Sequence, residues 1–337
     1  MDINNQENPL KPFTLEPFTL PPIGSWPETR HQFDEESIWA VKAALAARRP
    51  LLVSGEPGTG KSQLARAAAY QLKRAFIFEV INARSESQDL QYQYDAVTRL
   101  GEAQTVGILG KTGDDLKAHL HQRNYLSPGV LWWTLNWGDA KDQQSKIGNK
   151  DDCSFDDCIP QSPPGWQPKD GVVLLIDEID KADADLPNGL LETLGNGAFT
   201  VPCISKHVCM NADAQFPLVV ITTNDERELP AAFLRRCMAL HLKLSEEKSK
   251  LINYLCKIGK IHYQDDCSPD IRRKVAEQLF EDRKKAKARN LPAPGQAEYL
   301  DILRALKTIA PGDDKKQGDV LDKIKNFALV KHPKEHL

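Results

Sequence analysis

The stretch LLVSGEPGTGKSQLARAAA, residues 51–69, decides the architecture. LLVS (51–54) reads as a short buried strand, and QLARAAAYQLKRA (63–75) as a strong helix. Between them, Gly55-Glu56-Pro57-Gly58-Thr59-Gly60-Lys61-Ser62 fits G-x-x-x-x-G-K-[ST]. The glycines let backbone N–H groups curl around phosphate oxygens. Lys61 reaches the β- and γ-phosphates, and the Ser62 hydroxyl binds Mg²⁺. The helix from Gln63 adds its positive dipole end. Gly55, Pro57, Gly58, Thr59, Gly60, Lys61, Ser62 and Gln63 are therefore the candidate ATP-binding residues.

Outward from this loop the chain alternates helix and strand. FDEESIWAVKAALAARR (33–49) has Ile38, Val41 and Leu45 at helical spacing, and Pro50 closes it. FIFEVINA (76–83), VVLLIDEI (172–179), FPLVVITTN (216–224) and ALHLKL (239–244) read as strands. VVLLIDEI is nearly continuous in apolar residues, the mark of a strand buried on both faces. PNGLLETLGNG reads as a helix and FTVPCISKHVCM as a hairpin. The alternation predicts an α/β fold, a parallel sheet with helices on both faces, over residues 31–244. Helices alone follow, at 245–263, 269–289, about 295–309 and about 317–330, so 245–337 is expected to be a small helical domain.

Three segments fall outside this pattern. Residues 1–30 are rich in proline and repeat PFTL at 12–15 and 17–20, which predicts an extended arm, either packed on its own subunit, the reading favoured, or reaching a neighbour. Residues 84–137 hold weaker elements, with the tryptophan cluster LWWTLNW (131–137) expected in a core or interface. Residues 138–171 are polar and broken by Gly, Pro and Asp, and are expected to form a mobile loop.

Candidate catalytic residues stand at strand ends. Asp177 and Glu178 close a buried strand at the carboxyl edge of the sheet, where the phosphate loop also lies. Asp177 can hold Mg²⁺ through its water shell, and Glu178 can orient and deprotonate an attacking water. Asn224, ending the next buried strand, can hydrogen-bond the γ-phosphate or that water, or can simply be a turn residue. Arg235 and Arg236, in LPAAFLRRC (229–237), follow an apolar run and need a negative partner if buried.

Composition excludes several classes. The 337 residues carry a formal net charge of −3, so no global field draws the chain to nucleic acid or to an anionic membrane. No apolar run approaches the ~18–20 residues that span a bilayer. MDINNQENPL lacks the regions of a signal peptide, so a cytoplasmic protein is expected. The seven cysteines are scattered, and Cys153 and Cys158 lack a His or Cys to complete a zinc site, so ordinary thiols are expected. The basic run DRKKAKAR (282–289) has no interleaved aromatics and reads as a solvated helix face.

In order and spacing these elements resemble the AAA+ ATPases, and more narrowly their MoxR-like branch. RPLLVSGEPGTGKSQLARAAA looks like that branch's Walker A region, and VVLLIDEIDKADADLPNGLLETLGNGAFTVP like its Walker B and the helix beyond. SQDLQYQYDAVTRL, YLSPGVLWWTL and FPLVVITTNDERELPAAFLRRC resemble its segment after the second strand, the block before Walker B, and its sensor 1 and arginine-finger block. The resemblance spans about residues 33–330. It implies a ring, usually a hexamer, with ATP and Mg²⁺ at each subunit boundary and a helical lid after the core. It implies inserts near the pore, placed here at about 95–130 and 201–213. It also implies that Asn224 is sensor 1 and that Arg236, with Arg235 beside it, reaches the ATP of the next subunit. Members of the branch remodel partner proteins, often ones with a von Willebrand A domain. There is one departure. Where similar sequences carry a lid arginine, Pro294-Gly295-Gln296-Ala297-Glu298 has Ala297, and Arg289 and Arg304 are the nearby candidates to replace it.

Two functions of different kinds follow. The first is an ATPase that drives remodelling of another protein. The second is a nucleotide-dependent assembly switch in which turnover is incidental, a reading that Ala297 favours. A nucleic-acid motor ranks third, because the net charge is −3.

Overall fold

Val172–Ile176 has no exposed residue, and two parallel neighbours cover its edges. A run apolar at every position cannot present a polar face to water, so it takes an interior place in a sheet. In the computed structural model, which describes residues 11–108, 113–147 and 159–329, the elements run as follows. The first half contains Phe18–Leu20 (β1), Thr29–His31 (β2), Glu35–Ala47 (α1), Leu51–Gly55 (β3), Lys61–Leu72 (α2), Ala75–Val80 (β4), Ser87–Gln91 (α3), Tyr92–Tyr94 (β5), Ala96–Ile108 (α4), Asp114–His119 (α5), Leu126–Pro128 (β6), Val130–Leu135 (α6) and Trp137–Gln144 (α7). The second contains Val172–Asp177 (β7), Asp185–Asn196 (α8), Ala198–Val201 (β8), Lys206–Cys209 (β9), Leu218–Thr223 (β10), Ala231–Leu234 (α9), Met238–Leu242 (β11), Lys248–Tyr263 (α10), Pro269–Ala288 (α11), Gln296–Ile309 (α12) and Asp314–Leu329 (α13).

Five strands form one parallel sheet in the order β11-β3-β10-β7-β4. In its register Ala75 pairs with Val172, and Leu218 with Val173. Parallel neighbours need crossovers, and helices supply them. The α/β reading of the sequence holds, as does the change to helices alone after β11.

By contacts the chain divides into two compact units. One comprises Glu36–Val53 and Ala65–Leu240, the other Met1–Glu35, Ser54–Leu64 and His241–Leu337. In the first unit, Leu174, Ile176, Val219, Ile221 and Phe233 share a core with Trp132 and Trp133. The tryptophan cluster is thus core, with Trp132 wholly buried. The start of the polar stretch 138–171 is helical rather than loop, since α7 reaches Gln144 and buries Ala140 and Gln143. Gln143 donates to the carbonyls of Arg123 and Leu126, which satisfies its buried amide. Residues 148–158 of that stretch, with Cys153 and Cys158, lie outside the described residues. β8 and β9 form the antiparallel hairpin expected near 201–213, and β5 pairs with β6 at the two ends of the segment 95–125.

In the other unit, α10 to α13 pack around Leu251, Leu255, Val275, Leu279, Tyr299 and Leu303. Gly259 permits this closeness, because a Cβ there would meet the Tyr299 hydroxyl at 2.6 Å. Residues 11–30 depart from an extended arm. β1 and β2 pair as an antiparallel hairpin, and Phe13, Leu20 and Phe33 are buried. Leaving three large apolar side chains in water would cost about 1.5–3 kcal/mol each, which outweighs the extended habit of proline. Arg30 ties the hairpin to α10 by donating to the Ile261 carbonyl at 3.2 Å. Residues 1–10 of the expected arm lie outside the described residues.

Candidate active site

The loop from Gly55 to Ser62 closes on itself. Lys61, 7% exposed, donates from Nζ to the carbonyls of Gly55 at 2.7 Å and Glu56 at 3.0 Å. Thr59 Oγ1 donates to the Glu56 carbonyl at 2.9 Å, and the Leu64 N–H donates to the Gly60 carbonyl at 3.1 Å, where the loop turns into α2. Gly55 is required, since a Cβ there would come within 2.3 Å of the Leu242 carbonyl oxygen. Gly58 has φ +75° and faces Ala297, whose Cβ would lie 2.7 Å from a Cβ on Gly58. Ser62 and Gln63 occupy the first turn of α2. The Gln63 side-chain oxygen is buried without a hydrogen-bond partner among the described residues.

The helical domain grips the same loop through Glu56. Arg283 of α11, 4% exposed, pairs from Nη2 with Glu56 Oε2 and donates from Nη1 to the Pro294 carbonyl at 3.1 Å. Lys287 stands 3.5 Å from Glu56 Oε1. The basic run 282–289 is therefore not wholly a solvated face. Arg283 is buried because Glu56 and a carbonyl compensate its charge, without which burial would be prohibitive. Ala297 lies against Gly58, and among the described residues no arginine atom is one of the three nearest to that point. Arg304 is paired with Asp301 at 3.2 Å on an exposed helix face, and Arg289 is the C-cap of α11.

In the other unit, Asp177, Glu178 and Asn224 come together through a residue that sequence reading missed. The Thr222 hydroxyl, wholly buried, donates to Asp177 Oδ1 and accepts from the Glu178 N–H at 2.9 Å. Asn224 Nδ2 donates to Glu178 Oε1 at 3.4 Å. Glu178 has φ +59°, a left-handed conformation that costs a non-glycine residue ~1 kcal/mol or more and persists only where surroundings enforce it. The Asn224 strand end is fixed by a second missed residue. Asp180, 2% exposed, accepts from the N–H groups of Asn224 at 3.1 Å and Glu226 at 3.0 Å. A DEID run at a strand end was the available signal for Asp180. Thr222 had none, being one β-branched residue among many in a strand.

Arg235 and Arg236 are exposed, at the end of the short α9 that buries Phe233. The apolar run thus buries its phenylalanine and turns both guanidiniums outward. Among the described residues neither arginine makes an ion pair. Arg49 Nη1 donates to the Arg235 carbonyl at 3.3 Å, which no sequence signal suggested. Arg236, Arg48 and Arg49 border a cavity of about 180 Å³ whose apolar wall includes Leu191, Met210 and Phe216.

The family model for the AAA domain, dynein-related subfamily, matches residues 50–237, more than half of the chain. No curated protein matches it. Among solved structures, a provisionally named ATPase from Cytophaga hutchinsonii is similar over 87% of this chain and 79% of its own, at 12% identity and a TM-score of 0.36. A likeness that low carries no argument.

Proposed function

This chain belongs to the AAA domain family, in its dynein-related subfamily, and from that premise we propose that it binds and hydrolyses ATP as a ring, and that turnover remodels or activates a partner protein. The observation that carries the reading is the Asp177–Thr222–Glu178–Asn224 network, which gathers two carboxylates and an amide at adjacent strand ends. In this reading the Gly55–Ser62 loop receives the phosphates, and Lys61 exchanges its two carbonyl contacts for phosphate oxygens. Asp177 and the Ser62 hydroxyl are hard oxygen donors of the kind Mg²⁺ accepts, few enough to leave water and phosphate to complete an octahedron. When bound, the ion neutralises charge on the β- and γ-phosphates. Glu178 takes the proton of the attacking water, and Asn224, already on Glu178 Oε1, holds that carboxylate in place. Arg236 acts on the ATP of the next subunit, with Arg235 beside it, since both are exposed and have no carboxylate partner among the described residues.

The sequence resemblance to the MoxR-like branch supports the finer parts of this reading: a hexamer, a lid at 245–337, and a partner with a von Willebrand A domain. A second reading is a nucleotide-dependent assembly switch. It is favoured by Ala297, which sets a methyl group rather than a cation against Gly58. Steady-state ATPase activity of the wild type and Glu178→Gln separates the two. A wild type at least about 10²-fold faster than the variant supports hydrolysis. Equal rates leave only the switch. Several-fold stimulation by DNA or RNA would favour a nucleic-acid motor instead, although the net charge of −3 speaks against one.

A further inference from the structure

The helical domain offers the phosphate loop a polar group that the motif does not contain. Gln296 opens α12, with Gly295 as N-cap. Its Nε2 is the nearest atom, beyond chain neighbours, to a Cβ built on Gly60, at 3.9 Å. Its Oε1 accepts from the Tyr254 hydroxyl of α10 at 2.6 Å. An amide has one acceptor end and one donor end, so occupying the oxygen with a donor turns the NH₂ the other way. Here the other way is the loop. A phenol keeps its proton at neutral pH, so Tyr254 is the donor of this pair.

The position of the amide is held from several sides. The Gly295 N–H donates to Glu298 Oε2 at 2.8 Å, which caps α12. Arg283 holds the preceding Pro294 carbonyl and, through Glu56, the loop itself. The next residue, Ala297, touches Gly58.

We propose that Gln296 is a phosphate-binding residue of this chain, donating from Nε2 to an oxygen of the nucleotide held by the Gly55–Ser62 loop, and that Tyr254 is the positioning residue that aims it. The proposal rests on the ATP-binding reading above and adds to it a contact supplied by the helical domain. It also changes what Ala297 means. The lid does not lack a group for the phosphates; a neutral donor one residue earlier takes that place.

The test measures ATP and ADP dissociation constants, with Mg²⁺, for wild type, Lys61→Ala, Gln296→Ala, Gln296→Glu and Tyr254→Phe. Lys61→Ala controls for the underlying reading: a wild type that binds no nucleotide sinks that reading and not the placement of Gln296. With wild-type binding established, Gln296→Ala is expected to weaken it about tenfold, since a hydrogen bond to a charged group is lost. Gln296→Glu should weaken it further, because a carboxylate then faces the phosphates. Tyr254→Phe should weaken it about two- to fivefold by freeing the amide to turn. Thermal unfolding without nucleotide reads the structural role, and all three variants should unfold near the wild type. Gln296→Glu binding ATP as tightly as the wild type would overturn the proposal. So would equal losses in Gln296→Ala and Gln296→Glu, the result of a purely structural role.

Discussion

The phosphate loop and the arginine turn treat their cations in opposite ways. Lys61 is 7% exposed, and two carbonyls within 3.0 Å hold it. Arg235 and Arg236 are exposed, and the chain gives them no carboxylate among the described residues. A buried ammonium must be solvated by its own protein, so the loop is shaped from within. An exposed guanidinium keeps its water and needs no such partner, so the turn is free to meet an anion from outside. On the proposed reading, the difference teaches where each group's counter-charge comes from: a ligand enters the first, and another molecule supplies the second.

Breaking the open side should have the largest effect. Arg236→Ala is expected to cut kcat by ~10³-fold or more while ATP affinity is kept. Mixing it with Lys61→Ala should restore part of the activity, because each variant lends the group the other lacks. A mixture as inactive as its components would place the arginine's role within its own subunit or nowhere.

The closed side is expected to respond in stability. Arg283→Ala removes a buried cation from Glu56 and frees the Pro294 carbonyl. Loss of a fully buried pair costs ~3–5 kcal/mol, but the Glu56 side chain is 39% exposed, so about 1–3 kcal/mol is expected here. Urea unfolding followed by circular dichroism measures it, and a midpoint unchanged from wild type would show the contact to be dispensable.

A pH dependence tests the closed side a second way. Burial holds His31 and His262 down to about 4; Arg30 and Arg304 add to the effect at His262, while at His31 repulsion from His262 adds to it and Asp34 opposes it. Above pH ~6.5 both are neutral whether folded or not, and their contribution is complete. As pH falls from 6.5 towards 4 the unfolded chain takes up protons that the folded one refuses, so stability is lost across that window. His31 stacks edge-on with Phe18 and Phe33, so His31→Phe should keep the packing and reduce the acid loss by ~1–3 kcal/mol. An unchanged slope of stability against pH would remove His31 from the account.

The smallest effect is expected at Arg49. Its hydrogen bond to the Arg235 carbonyl is 3.3 Å long and exposed, so Arg49→Ala should lower kcat about two- to fivefold. An effect as large as that of Arg236→Ala would make Arg49 part of the anion site itself.

Much of the fold was legible because its signals are local. β7 is apolar at five successive positions, and the α10 to α13 boundaries follow from periodicity and from Pro269 and Gly295 at helix starts. The loop was legible because phosphate binding demands glycine at set spacings. The N-terminal hairpin was not, because proline content speaks for an extended chain, whereas burial of Phe13, Leu20 and Phe33 depends on a distant surface. α7 was missed because WGDAKDQQ is too polar to show a face, and Gln143 is buried by hydrogen bonds rather than hydrophobicity.

By itself the sequence determined the parallel α/β sheet, the phosphate loop from Gly55 to Ser62 and the acidic strand end at Asp177 and Glu178. Each depends on residue types at short separations, where backbone geometry leaves little choice. Tertiary structure alone decided that Thr222 bridges Asp177 and Glu178, that Arg283 clamps Glu56, and that Gln296 faces Gly60 with its amide turned by Tyr254. Those partners are at least 42 residues apart in the chain, with Thr222 standing 44 and 45 from its two and Arg283 standing 227 from Glu56. A hydrogen bond across such a gap is set by how whole elements pack, and no spacing rule in a sequence records it.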